Sequence, residues 1–165
     1  MNCFGMSKQV RCTKITDTLY VASSQWVEDH VVAPGKKLTE SVTAYRSRKQ
    51  FDPKKLDLPF EGIINAAWNI RLSYPLYMPV LQLGIDDHDY VDRKIYRLAY
   101  EFYKTVGSCL VHCNAGLNRS AAVAAALLIG GGCSYDNALS TVQSPLQYEI
   151  SKELKFSLKQ FEGEG

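Results

Sequence analysis

Short apolar runs alternate along this chain with segments of helical periodicity. Thr18 to Ser23 (TLYVAS), Gly62 to Ala66 (GIINA), Pro79 to Ile85 (PVLQLGI) and Ser108 to His112 (SCLVH) are brief, aliphatic and rich in β-branched residues, and they read as buried strands. Between the last two, Ile95, Leu98, Ala99 and Phe102 recur at helical spacing, and Gly107 ends that helix. Ser120 to Ile129 is rich in Ala and Leu, both strong helix formers, and stops at Gly130, Gly131 and Gly132. Tyr135 to Val142 and Tyr148 to Phe161 predict two further helices. Strands separated by helices predict an α/β domain whose sheet is largely covered. With no internal repeat and no low-complexity linker, one domain over residues 1–165 is the expectation.

Residues 30–59 break this rhythm. Pro34, Gly35, Pro53 and Pro59 interrupt the pattern, and seven Lys or Arg outnumber three acids. A solvated surface excursion is the simplest reading. A substrate- or partner-binding insertion is the functional one.

Composition narrows the class. At 165 residues the chain can bury a genuine core, and 46% hydrophobic with 22% charged residues is ordinary for a globular domain. A net charge of +2 does not by itself point to nucleic acid or acidic membranes. Met1 to Val10 has no apolar core of signal-peptide length, and Ala121 to Ile129 is far short of a membrane span. The five cysteines form no CxxC pair and are odd in number. An intracellular, cytoplasmic or nuclear location is therefore expected, with no membrane partner. Cys109 and Cys133 are expected in the core.

The candidate chemistry sits in Val111-His112-Cys113-Asn114-Ala115-Gly116-Leu117-Asn118-Arg119-Ser120, which leaves a predicted strand and opens a predicted helix. That placement aims backbone N–H groups and the positive end of a helix dipole at one small volume. Such a nest binds a dianion and stabilises a thiolate. Gly116 permits a tight cradle. Arg119 is the only Lys, Arg, Asp or Glu between Leu110 and Cys133, and its planar fork suits two phosphate oxygens. Ser120 is placed to donate to the Cys113 sulfur. His112 and Cys113 are neighbours at a strand end and so face opposite ways, which argues against a cysteine–histidine protease pair; His112 is expected to order the loop instead. No GK[ST] follows the glycine, so a nucleotide P-loop is excluded.

HCNAGLNRS resembles the HCxxGxxR[ST] signature of protein tyrosine phosphatases, specifically the dual-specificity branch. Ile15 to Ser23, Gly62 to Ala66, PVLQLGIDDHD, YRLAYEFY and FSLKQFE resemble other parts of that family, so the similarity spans nearly the whole chain apart from 30–59. Many relatives carry an Arg before the Pro where this chain has Ser144. The resemblance implies a single compact phosphatase domain of the α/β class, with a central, mostly parallel sheet flanked by helices. It implies Cys113 as nucleophile, the loop His112, Asn114, Ala115, Gly116, Leu117, Asn118 and Arg119 as the phosphate cradle, and an aspartic acid that protonates the leaving oxygen. No cofactor or metal is implied, and no metal-ligand spacing is present.

Asp86-Asp87-His88-Asp89 offers three candidates for that acid. The alternation of Leu83, Ile85, Asp87 and His88 selects Asp87; counting back from Tyr96 selects Asp86, and alignment to a longer loop selects Asp89. Asn65 is expected either to brace the loop or to fill a strand end. The loop interior 114–118 has no Lys or Arg, unlike phosphoinositide 3-phosphatases. The reaction implied is hydrolysis of phosphotyrosine, with phosphoserine and phosphothreonine, on a phosphorylated protein. An RNA 5′-triphosphatase of the same superfamily shares the GLNRS ending and is the alternative. A phosphate-binding pseudophosphatase is the non-enzymatic one.

Overall fold

The computed structural model describes residues 10–36 and 56–164. Five strands, β1 (Cys12–Thr16), β2 (Leu19–Ala22), β3 (Gly62–Ala67), β4 (Val80–Ile85) and β5 (Cys109–His112), form one sheet in the order β1-β2-β5-β3-β4. Only β1 runs antiparallel to its neighbour; β2, β5, β3 and β4 are mutually parallel. The four parallel strands are those the apolar runs predict, with β2, β4 and β5 trimmed by a residue at one or both ends and β3 longer by one residue. β1 escapes sequence reading because it is a half-buried edge strand with a bulge between Lys14 and Thr16.

Helices cover both faces. α1 (Ser24–Val27) is extended by one π turn (Glu28–Val32). On the same side, Val27, Val31 and Val32 pack with Phe60, Ile63, Met78 and Leu110. On the other side lie α2 (Arg93–Val106), α3 (Arg119–Gly130), α4 (Tyr135–Leu146) and α5 (Lys152–Glu162), packed on Ile64, Ala66, Cys109 and Val111. α3 is central to this layer, and ten of its twelve residues are buried. Its apolar character all round, rather than in a stripe, follows from that position. The small Ala side chains let α2, α4 and α5 approach it closely.

Two helix boundaries differ from expectation. α4 continues past Val142, through Pro145 in its last turn, and closes where Gln147 takes a left-handed conformation (φ 51°). α5 starts at Lys152 rather than Tyr148, because Ser151 holds the extended backbone of an N-cap (φ −59°, ψ 156°). Gly107 ends α2 as expected, at φ 84°. Cys109 is buried in the core, but Cys133 is exposed. It follows the glycine turn and precedes the cap of α4, so it lies on a surface connection. Most of the basic excursion, residues 37–55, lies outside the described residues. Among the described residues no helix is long and apolar enough to cross a membrane.

Candidate active site

β5 lies in the middle of the sheet, between β2 and β3, so the chain leaving it emerges at the C-terminal ends of the parallel strands. In open α/β sheets that edge is where ligands bind. Residues 113–118 turn there, and α3 begins at Arg119 with its N-terminus directed back at the turn.

The turn is fixed by backbone proximity. Gly116 has φ 72°, and a Cβ there would lie 2.5 Å from the carbonyl carbon of Ala22. Only glycine meets both conditions. The Asn114 carbonyl accepts from Ser24 N at 3.0 Å and from Ser24 Oγ at 3.3 Å, tying the loop to the start of α1. Asn114 and Ala115 are exposed on the rim, and Leu117 and Asn118 are half-buried.

Cys113 is buried, with its Sγ 3.2 Å from the hydroxyl of Ser120 in the first turn of α3. Burial pushes the thiol of buried Cys109 up to about 12 and that of half-buried Cys12 up to about 11. His112 faces away from Cys113, as the strand pleat requires. Its Nδ1 lies 3.2 Å from the Cys113 carbonyl and its Nε2 2.5 Å from the Tyr74 hydroxyl. A carbonyl only accepts, so Nδ1 carries the proton and Nε2 accepts from Tyr74. Burial lowers the His112 pKa to about 4, with the backbone bond opposing, so the ring is neutral.

Arg119 is only 5% exposed. Its Nη1 donates to Asn69 Oδ1 at 2.8 Å and to the Ile85 carbonyl at 3.4 Å. The Nε lies 3.4 Å from Asp87 Oδ1, close enough for an ion pair, yet this buried N–H has no hydrogen-bond partner. A buried, charged donor without an acceptor is costly, and it marks where an anion belongs.

The three acids separate by what they touch. Asp86 Oδ1 accepts from the backbone of His88 at 2.9 Å, and Asp89 Oδ1 from that of Tyr90 at 2.8 Å; both cap their own loop. Asp87 instead reaches the cradle, accepting from Asn118 Nδ2 at 3.0 Å. His88 is exposed.

Asn65 makes no direct bond to the loop. Its amide donates to the Ile70 carbonyl at 2.7 Å and to Gln82 Oε1 at 2.9 Å, and its oxygen accepts from Ala67 N at 3.0 Å. It lies within β3, opposite His112 in the ladder, and also meets the Tyr74 hydroxyl, and so reaches His112 at one remove. Sequence reading missed Asn69, Tyr74, Ser151 and Tyr148. The first two lie in the connection between β3 and β4. Burial first, then the neighbouring Asp87 and Cys113, push the Tyr148 phenol above its ordinary value. No motif or periodicity marks any of the four.

Comparison of the whole fold with solved structures is decisive for the architecture. A point variant of human DUSP28 superposes with a TM-score of 0.69 at 17% identity, covering 93% of this chain and 94% of that one. The chain has the dual-specificity phosphatase fold. Human tyrosine phosphatase-like serine/threonine/tyrosine-interacting protein shares this fold at a TM-score of 0.64 and 20% identity, covering 92% of this chain and 95% of that one. PTPMT1, solved in complex with PI(5)P, shares it at 0.64 and 19%, covering 93% and 95%. No family model and no curated protein matches the sequence.

Proposed function

We propose that this protein is a cysteine-dependent phosphatase that hydrolyses phosphotyrosine, and phosphoserine or phosphothreonine, on phosphorylated proteins. The observation that carries this reading is the unpartnered Nε–H of buried Arg119, in the first turn of the helix that the Cys113 loop opens. Asn69 and the Ile85 carbonyl occupy Nη1, which leaves the Nε–Nη2 edge for two oxygens of a phosphate.

The chemistry follows from those positions. The Cys113 thiolate attacks phosphorus in line, forming the S–P bond as the P–O bond to the substrate breaks. Arg119 and the loop N–H groups hold the equatorial oxygens. Asp87 gives its proton to the departing oxygen, then as a carboxylate takes one from the water that attacks the cysteinyl-phosphate. The S–P bond breaks, and the Ser120 hydroxyl donates to the departing thiolate. His112 stays neutral and holds the Cys113 carbonyl away from the cradle. None of these steps calls on a metal.

Substrate class rests on charge. Residues 114–118 carry no Lys or Arg, so the loop interior offers nothing for a second or third phosphate group. This favours a phosphate monoester on a protein over a triphosphate end or a polyphosphorylated headgroup. Purified protein is assayed side by side on a phosphotyrosine peptide, a phosphothreonine peptide, triphosphate-ended RNA and PI(5)P. Highest kcat/KM on the peptides is the expected result. Preference for the RNA would replace this reading with a triphosphatase, and turnover of none would leave a phosphate-binding module.

A further inference from the structure

Asn118 stands at the N-cap of α3, the position where an Asn side chain ordinarily accepts from its own helix. Here Asn118 makes no such bond to α3. Its Oδ1 instead accepts from the backbone N–H of Ser151 at 2.9 Å, and its Nδ2 donates to Asp87 Oδ1 at 3.0 Å and to Ser151 Oγ at 3.3 Å. We infer that Asn118 is a positioning residue that clasps Asp87 and dictates which of its two oxygens carries the catalytic proton.

Two consequences of the contacts carry this. First, a backbone N–H can only donate, so Ser151 N fixes the amide with its oxygen toward α5 and its NH2 toward Asp87. Ser151 is itself held, because the neighbouring Ile150 N donates to Gln143 Oε1 at 2.8 Å. The clasp therefore rests on the α4–α5 connection, not on the acid's own loop. Second, Asn118 Nδ2 donates to Oδ1 of Asp87, the same oxygen that Arg119 Nε faces at 3.4 Å as an ion pair without a hydrogen bond. An oxygen that accepts an N–H and faces a guanidinium charge is held as the unprotonated one of the pair. The proton of the neutral acid consequently sits on Oδ2, which is left to reach the leaving group. The forgone cap has its own use, since the first N–H groups of α3 stay available to the phosphate.

This inference rests on Asp87 being the general acid, and the experiment separates the two. The readout is the ratio of kcat/KM on para-nitrophenyl phosphate to that on phenyl phosphate, two esters of similar size that differ in leaving-group ability. Asp87→Asn is expected to raise the ratio about a hundredfold, the lower end of general acid contributions. Asn118→Ala is expected to raise it about tenfold, with KM affected less than kcat. The double variant is expected to match Asp87→Asn alone, because there is nothing left to position. Ser151→Pro is a second probe, remote from the loop. It suits the φ of −59° and deletes the N–H that orients the amide, and it is expected to raise the ratio several-fold. If Asp87→Asn raises the ratio while Asn118→Ala and Ser151→Pro both leave it within about twofold, the clasp is overturned and the acid stands. If Asp87→Asn leaves the ratio unchanged, both are overturned.

Discussion

The Tyr74 hydroxyl lies 2.5 Å from His112 Nε2 and donates to it, completing the partners of a fully buried histidine whose Nδ1 proton is fixed by the carbonyl of the candidate nucleophile, Cys113. The folded pKa of about 4 is below the ordinary value of 6.5. The unfolded chain thus binds the proton more readily, and the stability contributed by His112 is present above about pH 6.5 and lost as pH falls toward 4. Over that window the loss is at most roughly 3 kcal/mol. Urea unfolding at pH 7 and pH 5 is expected to show a drop in stability that shrinks in His112→Gln. Tyr74→Phe is expected to cost about 1–3 kcal/mol at pH 7, since it strands a buried acceptor.

Gly116 sets the shape of the cradle. Gly116→Ala places a Cβ 2.5 Å from the Ala22 backbone, at a φ of 72°. Neither neighbour is a side chain that can swing aside. A loss of about 2 kcal/mol or more, seen as a Tm several degrees lower, is expected together with loss of oxyanion binding. A stable, active Gly116→Ala variant would show that the loop can re-form elsewhere.

How much of this was legible in the chain depended on sequence distance. β2, β3 and β5 announce themselves because strands buried on both faces are continuous apolar runs, edge strand β4 because its apolar residues still dominate a short run, and α3 because Ala and Leu crowd one segment. The strand–loop–helix from Val111 to Ser120 is local, so its geometry could be read from spacing alone. The supports were not. Asn69 reaches Arg119 across 50 residues and Tyr74 reaches His112 across 38, joined only because parallel crossovers bring the ends of β3 and β5 side by side. The choice among Asp86, Asp87 and Asp89 likewise waits on which carboxylate the turn directs inward.

Arg119 is expected to matter for its fork rather than its charge. Arg119→Lys keeps the charge but loses both the Nη1 anchors and the two-oxygen edge. A fall in kcat/KM of at least about a hundredfold, roughly 3 kcal/mol, is expected on any monoester. A loss below about tenfold would mean that a point charge suffices.

Ser120 lies 3.2 Å from Cys113 Sγ, where its hydroxyl can donate to the departing thiolate. A hydrogen bond to a charged group contributes about 1.5–3 kcal/mol, so Ser120→Ala is expected to slow turnover by about ten- to a hundredfold. Because the second step suffers most, phosphoenzyme should accumulate and a burst of released alcohol should precede the steady state. Slower turnover with no burst would place Ser120 in the first step instead.

The covalent intermediate is the most direct test of all. A rapid-quench experiment with radiolabelled phosphotyrosine peptide, followed by peptide mapping of the denatured protein, reads where phosphorus attaches. Label on Cys113 of the wild-type protein, enriched in Ser120→Ala and absent in Cys113→Ser, is the predicted result. Phosphate released at full rate by Cys113→Ser, or label on any residue other than Cys113, would contradict the assignment of Cys113 as nucleophile.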